Sequence, residues 1–373
     1  MKVFVVFGTR PEAIKMCPLV LELKKHKEIE CVVCLTGQHR EMLRQVMEAF
    51  RVEEDYNLDI MRERQTLTTI TTSILEKIEP VIQKEKPDVV LVHGDTTTSY
   101  AAALAAFYQQ IPVGHVEAGL RTGDIYSPFP EEMNRLLTDR ISTYYFAPTL
   151  QNEQNLLKEG IKDQVYVTGN TVIDAFSSTV KRDYVFHDTT LDAIDYSKQR
   201  VVLVTAHRRE NLGKPLENIC RAIRHLAQEY LNTVFVYPVH LNPAVRESVF
   251  AILGQVSNVL LIDPIDVLDM HNLISRCFMV MTDSGGIQEE APHFGKPVLV
   301  LRTETERPEA VAAGTVKVVG VEEADIYQEA KQLFDESSAY NCMAQAVNPY
   351  GDGHASERIV EVLLNVVRKK SRI

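Results

Sequence analysis

Tryptophan is absent from the 373-residue chain, and only 7% of its residues are aromatic. Positive charge is also scarce, because 40 Lys and Arg residues stand against 51 Asp and Glu residues, for a formal net charge of −11. This balance argues against a broad surface that tracks phosphates, so we expect no nucleic-acid partner. No apolar run approaches the ~20 residues of a membrane-spanning helix. The amino terminus enters a predicted strand rather than a signal peptide, so we expect a cytoplasmic protein without a membrane partner.

Cysteine is sparse, with six residues scattered through apolar runs. Cys31 and Cys34 form a C-x-x-C motif, but residues 31–35 are predicted to form a strand, in which residues three apart face opposite sides. No second cysteine pair follows that would complete a metal-binding set. We interpret the cysteines as reduced core thiols and predict no metal site.

Apolar strands that alternate with longer amphipathic segments predict parallel sheets covered by helices on both faces. A chain of 373 residues with 45% hydrophobic content can bury two such cores. The predicted strands form two sets: 3–7, 31–35, 89–92, 113–116 and 144–147, then 201–204, 233–237, 259–262, 278–281 and 297–301. We therefore predict an α/β fold with two Rossmann-like parallel-sheet domains, 1–172 and 173–354, that face a cleft. A carboxyl-terminal helix within 355–373 is expected to cross back to the first domain.

The apolar run 277–281 stops abruptly at residues 282–286, Thr-Asp-Ser-Gly-Gly, which we call the glycine turn. A predicted helix follows at once. Glycines let backbone N–H groups approach an anion, and the helix directs its positive end to the same point. Glu290, about one turn into that helix, would repel phosphate but suits paired hydroxyls, so the segment favours a nucleotide with diphosphate and ribose. The alternative is an ordinary strand-to-helix turn whose glycines serve tight geometry.

Two other nucleotide-binding motifs are missing. The segment 351–353, Gly-Asp-Gly, follows a proline-containing turn and lacks the third glycine of a dinucleotide fingerprint. Gly295-Lys296 is followed by Pro297, which offers no hydroxyl group to magnesium. We therefore predict that the protein binds no NAD, hydrolyses no ATP and uses no cofactor.

Polar side chains follow the predicted strands at their carboxyl ends, where open parallel sheets bind ligands. Three acids stand at such ends or in loops of the first domain: Asp95, Glu117 and Glu131. Each has a structural alternative, as a helix cap, as the partner of a loop arginine, or as a first-turn acid that complements a helix dipole. Convergence of several carboxylates on one edge instead favours a chemical role.

Basic residues occupy comparable positions. Arg10 follows Gly8-Thr9, and Lys15 lies about one helical turn further on, a pattern that suits phosphate. His207 follows a strand of the second domain within a polar segment. It could also be a satisfied histidine beside that strand, but its surroundings favour a place in the cleft.

Six long motifs in one order resemble the non-hydrolysing UDP-N-acetylglucosamine 2-epimerases, and the match runs essentially from end to end. The motifs occupy residues 7–13, 93–96, 114–121, 130–135, 169–171 and 282–290. The resemblance implies a glycosyltransferase-B-like fold, a homodimer, and UDP-N-acetylglucosamine and UDP-N-acetylmannosamine as substrate and product. It also implies the supply of precursors for surface polysaccharide or teichoic acid.

The resemblance further implies roles for individual residues. The expected UDP contacts are Arg10, Lys15, Ser284, Gly285, Gly286, Glu290, Arg307 and Met270. The expected acid, base and sugar-contact residues are Asp95, Glu117, Glu131 and His207, with Arg135 and Asn170 as further sugar contacts. A second UDP-N-acetylglucosamine, acting as an activator, is expected at Gln38, Glu41, Arg64, Arg208 and His240.

Two departures from the family pattern bear on these roles. Ile265 and Met270 stand where relatives carry glutamine and phenylalanine near the uracil, which leaves the side-chain contacts to the base open. Glu41 replaces a glutamine of activator-dependent relatives, which weakens the inference of an activator site.

The implied reaction explains why an epimerase would need a phosphate site. The hydrogen on carbon 2 of the sugar is not acidic, because no adjacent carbonyl can hold a carbanion. If the bond from carbon 1 to UDP breaks first, the sugar becomes oxocarbenium-like, and a carboxylate can then remove the proton to leave a 2-acetamidoglucal. Return of UDP with a proton on the opposite face needs a second acid or base. The alternatives are a UDP-sugar glycosyltransferase and a non-catalytic UDP-sugar sensor. Conversion of UDP-N-acetylglucosamine to a second isomer in the absence of an acceptor distinguishes an epimerase from both.

Overall fold

A computed structural model describes residues 1–37, 40–62 and 65–370, with the backbone alone for 40–42 and 367–370. Its contacts divide the chain into two compact units. Unit 1 is Met1–Ser178 together with the segment that begins at Tyr350, and unit 2 is Thr179–Pro349. The expected boundaries at 172/173 and 354/355 differ from these, because the helix that begins at Thr171 belongs mainly to unit 1. The chain has already rejoined that unit at Tyr350, whose carbonyl accepts a hydrogen bond from the Asn170 amide at 2.8 Å.

Unit 1 contains, within the described ranges, a parallel sheet of seven strands in the order β3-β2-β1-β4-β5-β6-β7. The strands are β1 (Lys2–Phe7), β2 (Glu30–Leu35), β3 (Tyr56–Asn57), β4 (Val89–His93), β5 (Val113–Val116), β6 (Tyr144–Ala147) and β7 (Val165–Val167). Its helices are α1 (Arg10–Lys24), α2 (Arg40–Phe50), α3 (Leu67–Glu85), α4 (Thr97–Tyr108), α5 (Glu131–Ile141), α6 (Leu150–Lys158) and α7 (Thr171–Thr179). The last helix of the chain, α16 (Ala355–Lys370), packs on α1.

Sequence signals at the helix ends account for several of these elements. Thr9 and Glu12 form a capping box at the start of α1, with Pro11 in its first turn. Asp174 accepts hydrogen bonds from the amides of Ala355 and Ser356, at 3.2 and 2.6 Å, and so ties the start of α16 to α7. Burial of β-branched side chains on β1 and β4 against the apolar stripe of α3 then forms a core on one face of the sheet.

Unit 2 contains, in the part of the chain that is described, a second parallel sheet of six strands in the order β10-β9-β8-β11-β12-β13. The strands are β8 (Arg200–Thr205), β9 (Thr233–Pro238), β10 (Val259–Ile262), β11 (Met279–Thr282), β12 (Val298–Val300) and β13 (Val316–Val318). The helices are α8 (Thr189–Asp192), α9 (Lys214–Glu229), α10 (Pro243–Leu253), α11 (Val267–Arg276), α12 (Gly285–Glu290), α13 (Pro308–Ala313), α14 (Glu323–Asp335) and α15 (Ser337–Ala344), with 3₁₀ turns at Arg209–Asn211 and Ala291–Phe294. Buried apolar residues of β8, β9 and β11 pack with α9 and α14 in one core.

Two parallel sheets confirm the predicted α/β fold class. All ten predicted strands are present, with no end shifted by more than one residue. The prediction missed β3, β7 and β13, which are two or three residues long and lie at sheet edges. Such short segments carry too little alternation or apolar character to be recognised. Among the described residues, no helix is both long and apolar enough to cross a membrane.

The cysteines largely match the sequence interpretation. Cys31 and Cys34 lie on β2, and burial raises the pKa of both thiols to about 12, which makes them poor nucleophiles and metal ligands. Cys342 differs from the expected core thiols because it is exposed on α15.

A fully buried carboxylate fixes α5 against β5. The Asp139 carboxylate lies 2.6 Å from His115 Nδ1 and accepts a hydrogen bond from Arg121 Nη2 at 2.7 Å. Burial opposes ionisation of Asp139, but His115 and Arg121 hold its pKa below the usual range. The helix that carries Glu131 is therefore anchored through the Asp139 side chain to the strand that leads into Glu117.

We predict that Asp139→Ala destabilises unit 1 by about 3 kcal/mol, because it removes a buried charge partner of Arg121 and leaves Nδ1 of the fully buried His115 without its hydrogen-bond partner. Glu48→Ala is the matched control, since it removes an exposed pair with Arg44 on α2 and should cost about 0.5 kcal/mol or less. Urea denaturation of both variants measures the difference. Equal losses in the two variants would contradict the anchoring role of Asp139.

Candidate active site

Glu117 stands immediately after β5 in a conformation that few non-glycine residues adopt. Its φ is +67°, and the side chain is only 8% exposed. Gly94, which follows β4, also has a positive φ, and a Cβ added there would come within 3.1 Å of Glu117 Oε2. Strained backbone of this kind clusters at active sites, where the surrounding structure holds it in place.

The Glu117 carboxylate is held by side chains from three separate segments. Its Oε1 forms an ion pair with Lys15 Nζ of α1 and accepts a hydrogen bond from Asn170 Nδ2 at 3.1 Å. Its Oε2 lies 3.6 Å from His93 Nε2 at the end of β4. Lys15, which we expected beside UDP, thus contacts a candidate catalytic carboxylate. Asn170, expected at the sugar, lies in the same group of side chains.

Asp95 and Arg135 form a second charged pair in unit 1. Arg135 donates to Asp95 Oδ2 through Nε at 3.0 Å and through Nη2 at 2.6 Å. It also donates to Glu132 at 2.8 Å. Burial alone would lower the pKa of Arg135, but Asp95 and Glu132 raise it. Asp95 remains about one quarter exposed, at 27%, so it is both paired and accessible.

Glu131 is the first residue of α5 and is half-buried. Its Oε2 is buried, and among the described residues it has no hydrogen-bond partner. The start of a helix favours a negative charge at this position. A buried carboxylate oxygen without a partner is costly in a folded protein, so it is a candidate for contact with a ligand.

Two residues that the sequence analysis did not select also belong to this region. Glu12 is buried and accepts hydrogen bonds from the amides of Gly8 and Thr9 and from the hydroxyl of Thr96. Burial raises its pKa, so it is a structural acid that joins the loops after β1 and β4. His93, inside a motif that supported the family resemblance, is the other.

Arg10, the remaining unit 1 candidate, is the first residue of α1 and is half-buried. Gln38 and Arg64 lie outside the described residues. Only the backbone of Glu41 is described, within α2. The structure therefore gives no side-chain geometry for these three expected activator contacts.

In unit 2, His207 follows β8 and stacks on His240, with ring centroids 5.1 Å apart and an interplanar angle of 2°. The amides of His207 and Arg208 donate to the buried Asp283 carboxylate, each at 2.8 Å. Partial burial lowers the pKa of His207, Asp283 opposes that effect, and His240 adds to it. Asp283 therefore fixes the backbone of this loop from within the glycine turn.

The glycine turn joins β11 to α12, and Ser284 is the N-cap residue. A Cβ added at Gly285 would lie 3.7 Å from Nη2 of both Arg208 and Arg307, so two guanidinium groups flank the turn. Acidic side chains also surround these arginines. Glu289 pairs with Arg307 Nε at 2.5 Å, and Glu306 lies 3.5 Å from Arg208 Nη1.

The arginines nevertheless govern the ionisation of Glu306. Burial favours the neutral form of Glu306, but Arg208, Arg302 and Arg307 hold its pKa below the usual range. Gly286 is the second residue of α12, and its amide is one of the helix-start amides that an anion can approach. Backbone amides and arginines together make this a suitable place for a phosphate.

Glu290 ends α12 and is largely buried, with Oε2 at 3.9 Å from His271 Nε2. Met270 lies next to His271 on α11 and is half-buried, whereas Ile265 is buried. The structure thus places Glu290 and Met270 on two helices of the same unit as the glycine turn, and Ile265 in the loop that precedes α11.

One group of potential metal ligands occurs among the described residues: His187, Asp266 and Asp269, whose ligand atoms lie within 4.8 Å of one another. Asp266 caps α11, and Asp269 accepts hydrogen bonds from the amides of His187 and Asp188, both at 3.0 Å. Helix capping and loop closure therefore account for this group without an ion.

Comparison with known proteins yields one family across the chain. The family model for UDP-N-acetylglucosamine 2-epimerase matches residues 21–364. The UDP-N-acetylglucosamine 2-epimerase of Bacillus subtilis is 56% identical over 365 residues, which cover 98% of this chain and 95% of that protein. The enzyme of the same name from Escherichia coli K12 is 54% identical over 374 residues, covering 98% and 99%.

A solved structure gives the same result. The crystal structure of UDP-GlcNAc 2-epimerase from Neisseria meningitidis bound to UDP-GlcNAc superposes with a TM-score of 0.90 at 52% identity, covering 98% of this chain and all of that one. Both the sequence matches and the fold extend over nearly the whole length. The chain therefore belongs to the UDP-N-acetylglucosamine 2-epimerase family.

Proposed function

We propose that this protein reversibly converts UDP-N-acetylglucosamine to UDP-N-acetylmannosamine by eliminating UDP to a 2-acetamidoglucal and adding it back. The observation that carries this proposal is the contrast between two carboxylates of unit 1. Glu117 is held by Lys15 and Asn170, whereas Glu131 has a buried oxygen with no hydrogen-bond partner among the described residues. Inversion of a carbon centre through a planar intermediate needs two such proton-transfer groups.

Departure of UDP is assigned to unit 2. The bond from carbon 1 to oxygen breaks only if the negative charge that develops on the diphosphate is stabilised. The start of α12, with Arg208 and Arg307 beside Gly285, can supply that stabilisation. Glu290 would hold the ribose hydroxyls. These arginines are paired with acids in the structure, and a diphosphate would compete with those acids for them.

Proton transfer is assigned to unit 1. Lys15 favours the ionised form of Glu117, which suits a base that removes the proton from carbon 2. Glu131 would then donate a proton to carbon 2 on the opposite face of the planar intermediate as UDP adds back to carbon 1. Asp95, paired with Arg135, would stabilise the positive charge that develops on the sugar. In the reverse direction the two proton-transfer groups exchange roles. We further propose His207 of unit 2 as a polar contact of the substrate.

The remaining expectations are part of the same proposal. The enzyme would act as a homodimer in the cytoplasm and supply precursors for surface polysaccharide or teichoic acid, as the family resemblance implies. A second UDP-N-acetylglucosamine would bind as an activator, with Arg208 and His240 among its contacts, so Arg208 would contact both the substrate diphosphate and the activator. The stacking of His240 on His207 supports this by linking a candidate activator contact to a candidate active-site residue.

Deuterium incorporation tests the mechanism. Purified protein incubated with UDP-N-acetylglucosamine in deuterated water, without nicotinamide or acceptor, should form product that carries deuterium at carbon 2, because the returning proton comes from a carboxylic acid that exchanges with solvent. Proton NMR measures how much of the carbon 2 proton signal is lost from the product. Product that retained the original hydrogen would overturn elimination and re-addition. Failure to form any isomer would favour a glycosyltransferase or a sensor.

Replacement of the three acids tests their assignment. We predict that Asp95→Asn, Glu117→Gln and Glu131→Gln each lower kcat by at least about 100-fold, while UDP affinity changes less. Glu48→Gln, at an exposed position on α2, is the matched control and should leave kcat unchanged. Steady-state kinetics and calorimetry with UDP separate the two effects. Near-normal kcat in two of the three variants would refute a multi-carboxylate mechanism.

Gly285→Ala tests the phosphate site. The added methyl group finds 3.7 Å to the nearest side-chain atoms, so the fold should tolerate it, but it enters the space between two guanidinium groups where phosphate would lie. We expect UDP affinity to fall about tenfold or more, the equivalent of one lost hydrogen bond to a charged group. Calorimetry measures the affinity, and thermal denaturation checks the fold. Unchanged affinity would remove the glycine turn from the site.

A further inference from the structure

His93 is a buried histidine whose hydrogen-bonding capacity is not used. It ends β4, and its side chain is 5% exposed. Among the described residues, neither ring nitrogen has a hydrogen-bond partner. A neutral imidazole carries one donor and one acceptor, and burying both without partners costs free energy. A structural role alone therefore does not account for a histidine at this position.

His115 on the neighbouring strand provides an internal comparison. β4 and β5 are paired, with His93 opposite Val116. Both ring nitrogens of His115 have hydrogen-bond partners, because Nδ1 lies 2.6 Å from Asp139 and Nε2 lies 2.8 Å from the Gly94 carbonyl. Two buried histidines thus occupy adjacent strand ends, and only the one beside Glu117 has unused nitrogens.

The charged groups around His93 define what it can do. Glu117, Lys15, Asp95 and His115 are the titratable groups that face it. Burial lowers the pKa of His93 to about 4, against an opposing effect of Glu117. The ring is therefore neutral near physiological pH and offers a single N–H rather than a positive charge.

We propose that His93 is a positioning residue for Glu117, which donates its Nε2–H to Oε2 of that carboxylate during the reaction. The inference deepens the proposed function, because it rests on Glu117 as a proton-transfer group. The two atoms are 3.6 Å apart, outside hydrogen-bond range, and a shortening of about half an ångström brings them within it. Catalytic hydrogen bonds that are long in the free enzyme often shorten when the substrate or transition state is bound.

The two carboxylate oxygens of Glu117 have different neighbours, and this difference defines what His93 would do. Lys15 and Asn170 both bind Oε1, whereas Oε2 lies 3.6 Å from His93 Nε2, so His93 would act on the other oxygen, which we infer to be the one that exchanges a proton with the sugar. A carboxylate oxygen has two lone pairs, and a donor on one of them leaves the other for the substrate. The His93 N–H would therefore orient Oε2 and favour its ionised form without adding a charge next to Lys15.

Two variants of matched size test this role. His93→Gln retains an N–H group near the position of Nε2, whereas His93→Met has similar length and no donor. We expect His93→Met to lower kcat by about 10- to 100-fold with little change in KM, and His93→Gln to recover most of that loss. The acidic limb of the kcat–pH profile should move to higher pH in His93→Met, because a carboxylate without its donor is protonated more readily. His93→Gln should restore the limb.

A spectroscopic readout separates this inference from the proposed function. In protein labelled with carboxyl-¹³C glutamate, the Glu117 signal is assigned by its loss in Glu117→Gln, and its titration should move to higher pH in His93→Met but not in His93→Gln. This measurement requires no turnover, so it stands even if the wild-type protein fails to epimerise UDP-N-acetylglucosamine. If His93→Met does not fold, His93→Asn replaces it, because its shorter amide cannot reach Oε2. An unchanged Glu117 titration in the donor-free variant, or equal losses of kcat in the Gln and Met variants, would overturn the proposal.

Discussion

Glu117 is kept inside the protein, in a strained backbone conformation, by the ion pair with Lys15 and the hydrogen bond from Asn170. An isolated carboxylate could not be buried there, because removal of a charge from water is costly unless an opposite charge or N–H groups replace the water. Lys15 belongs to α1, and Asn170 directly precedes α7. The arrangement of helices around the carboxyl end of β5 is therefore a condition for the charge that the proposed chemistry needs.

The other acids of unit 1 are placed by different means, which is why they can differ in behaviour. Asp95 is paired with Arg135 but stays partly accessible, whereas Glu131 lies at a helix start with one oxygen unpartnered among the described residues. Three carboxylates in one unit thus have three environments. A reaction that removes a proton from one face of a carbon and returns one to the other face benefits from groups that are not equivalent.

In unit 2, the residues around the glycine turn combine positive and negative charges. Arg208 and Arg307 flank Gly285, and nearby acids balance them in the structure. An incoming diphosphate can compete for these arginines, because phosphate accepts several charge-assisted hydrogen bonds at once. The short α12 contributes amides at its first turn, and the buried Asp283 fixes the neighbouring loop that carries His207. In the proposed function, this charge balance would keep Arg208 and Arg307 paired until an anion binds.

The sequence by itself determined the fold class and the main candidate residues. Runs of β-branched residues between amphipathic segments predicted the parallel sheets, since strands buried on both faces must be apolar throughout. Polar motifs at the ends of those runs identified Asp95, Glu117 and the glycine turn, because ligands bind at the carboxyl ends of parallel strands. The edge strands β3, β7 and β13 escaped prediction because two or three residues carry no periodic signal.

Tertiary structure alone decided which side chains meet. Lys15 suited a phosphate by its position after a glycine loop, yet it pairs with Glu117, which is 102 residues away in the chain. Nothing in the local sequence distinguishes His115, whose two ring nitrogens have hydrogen-bond partners, from His93, because the partners of a buried ring come from other segments. Both outcomes depend on distances between segments that only the packing of helices on the sheet fixes, and side-chain pairing has no signature in the spacing of residues along one strand.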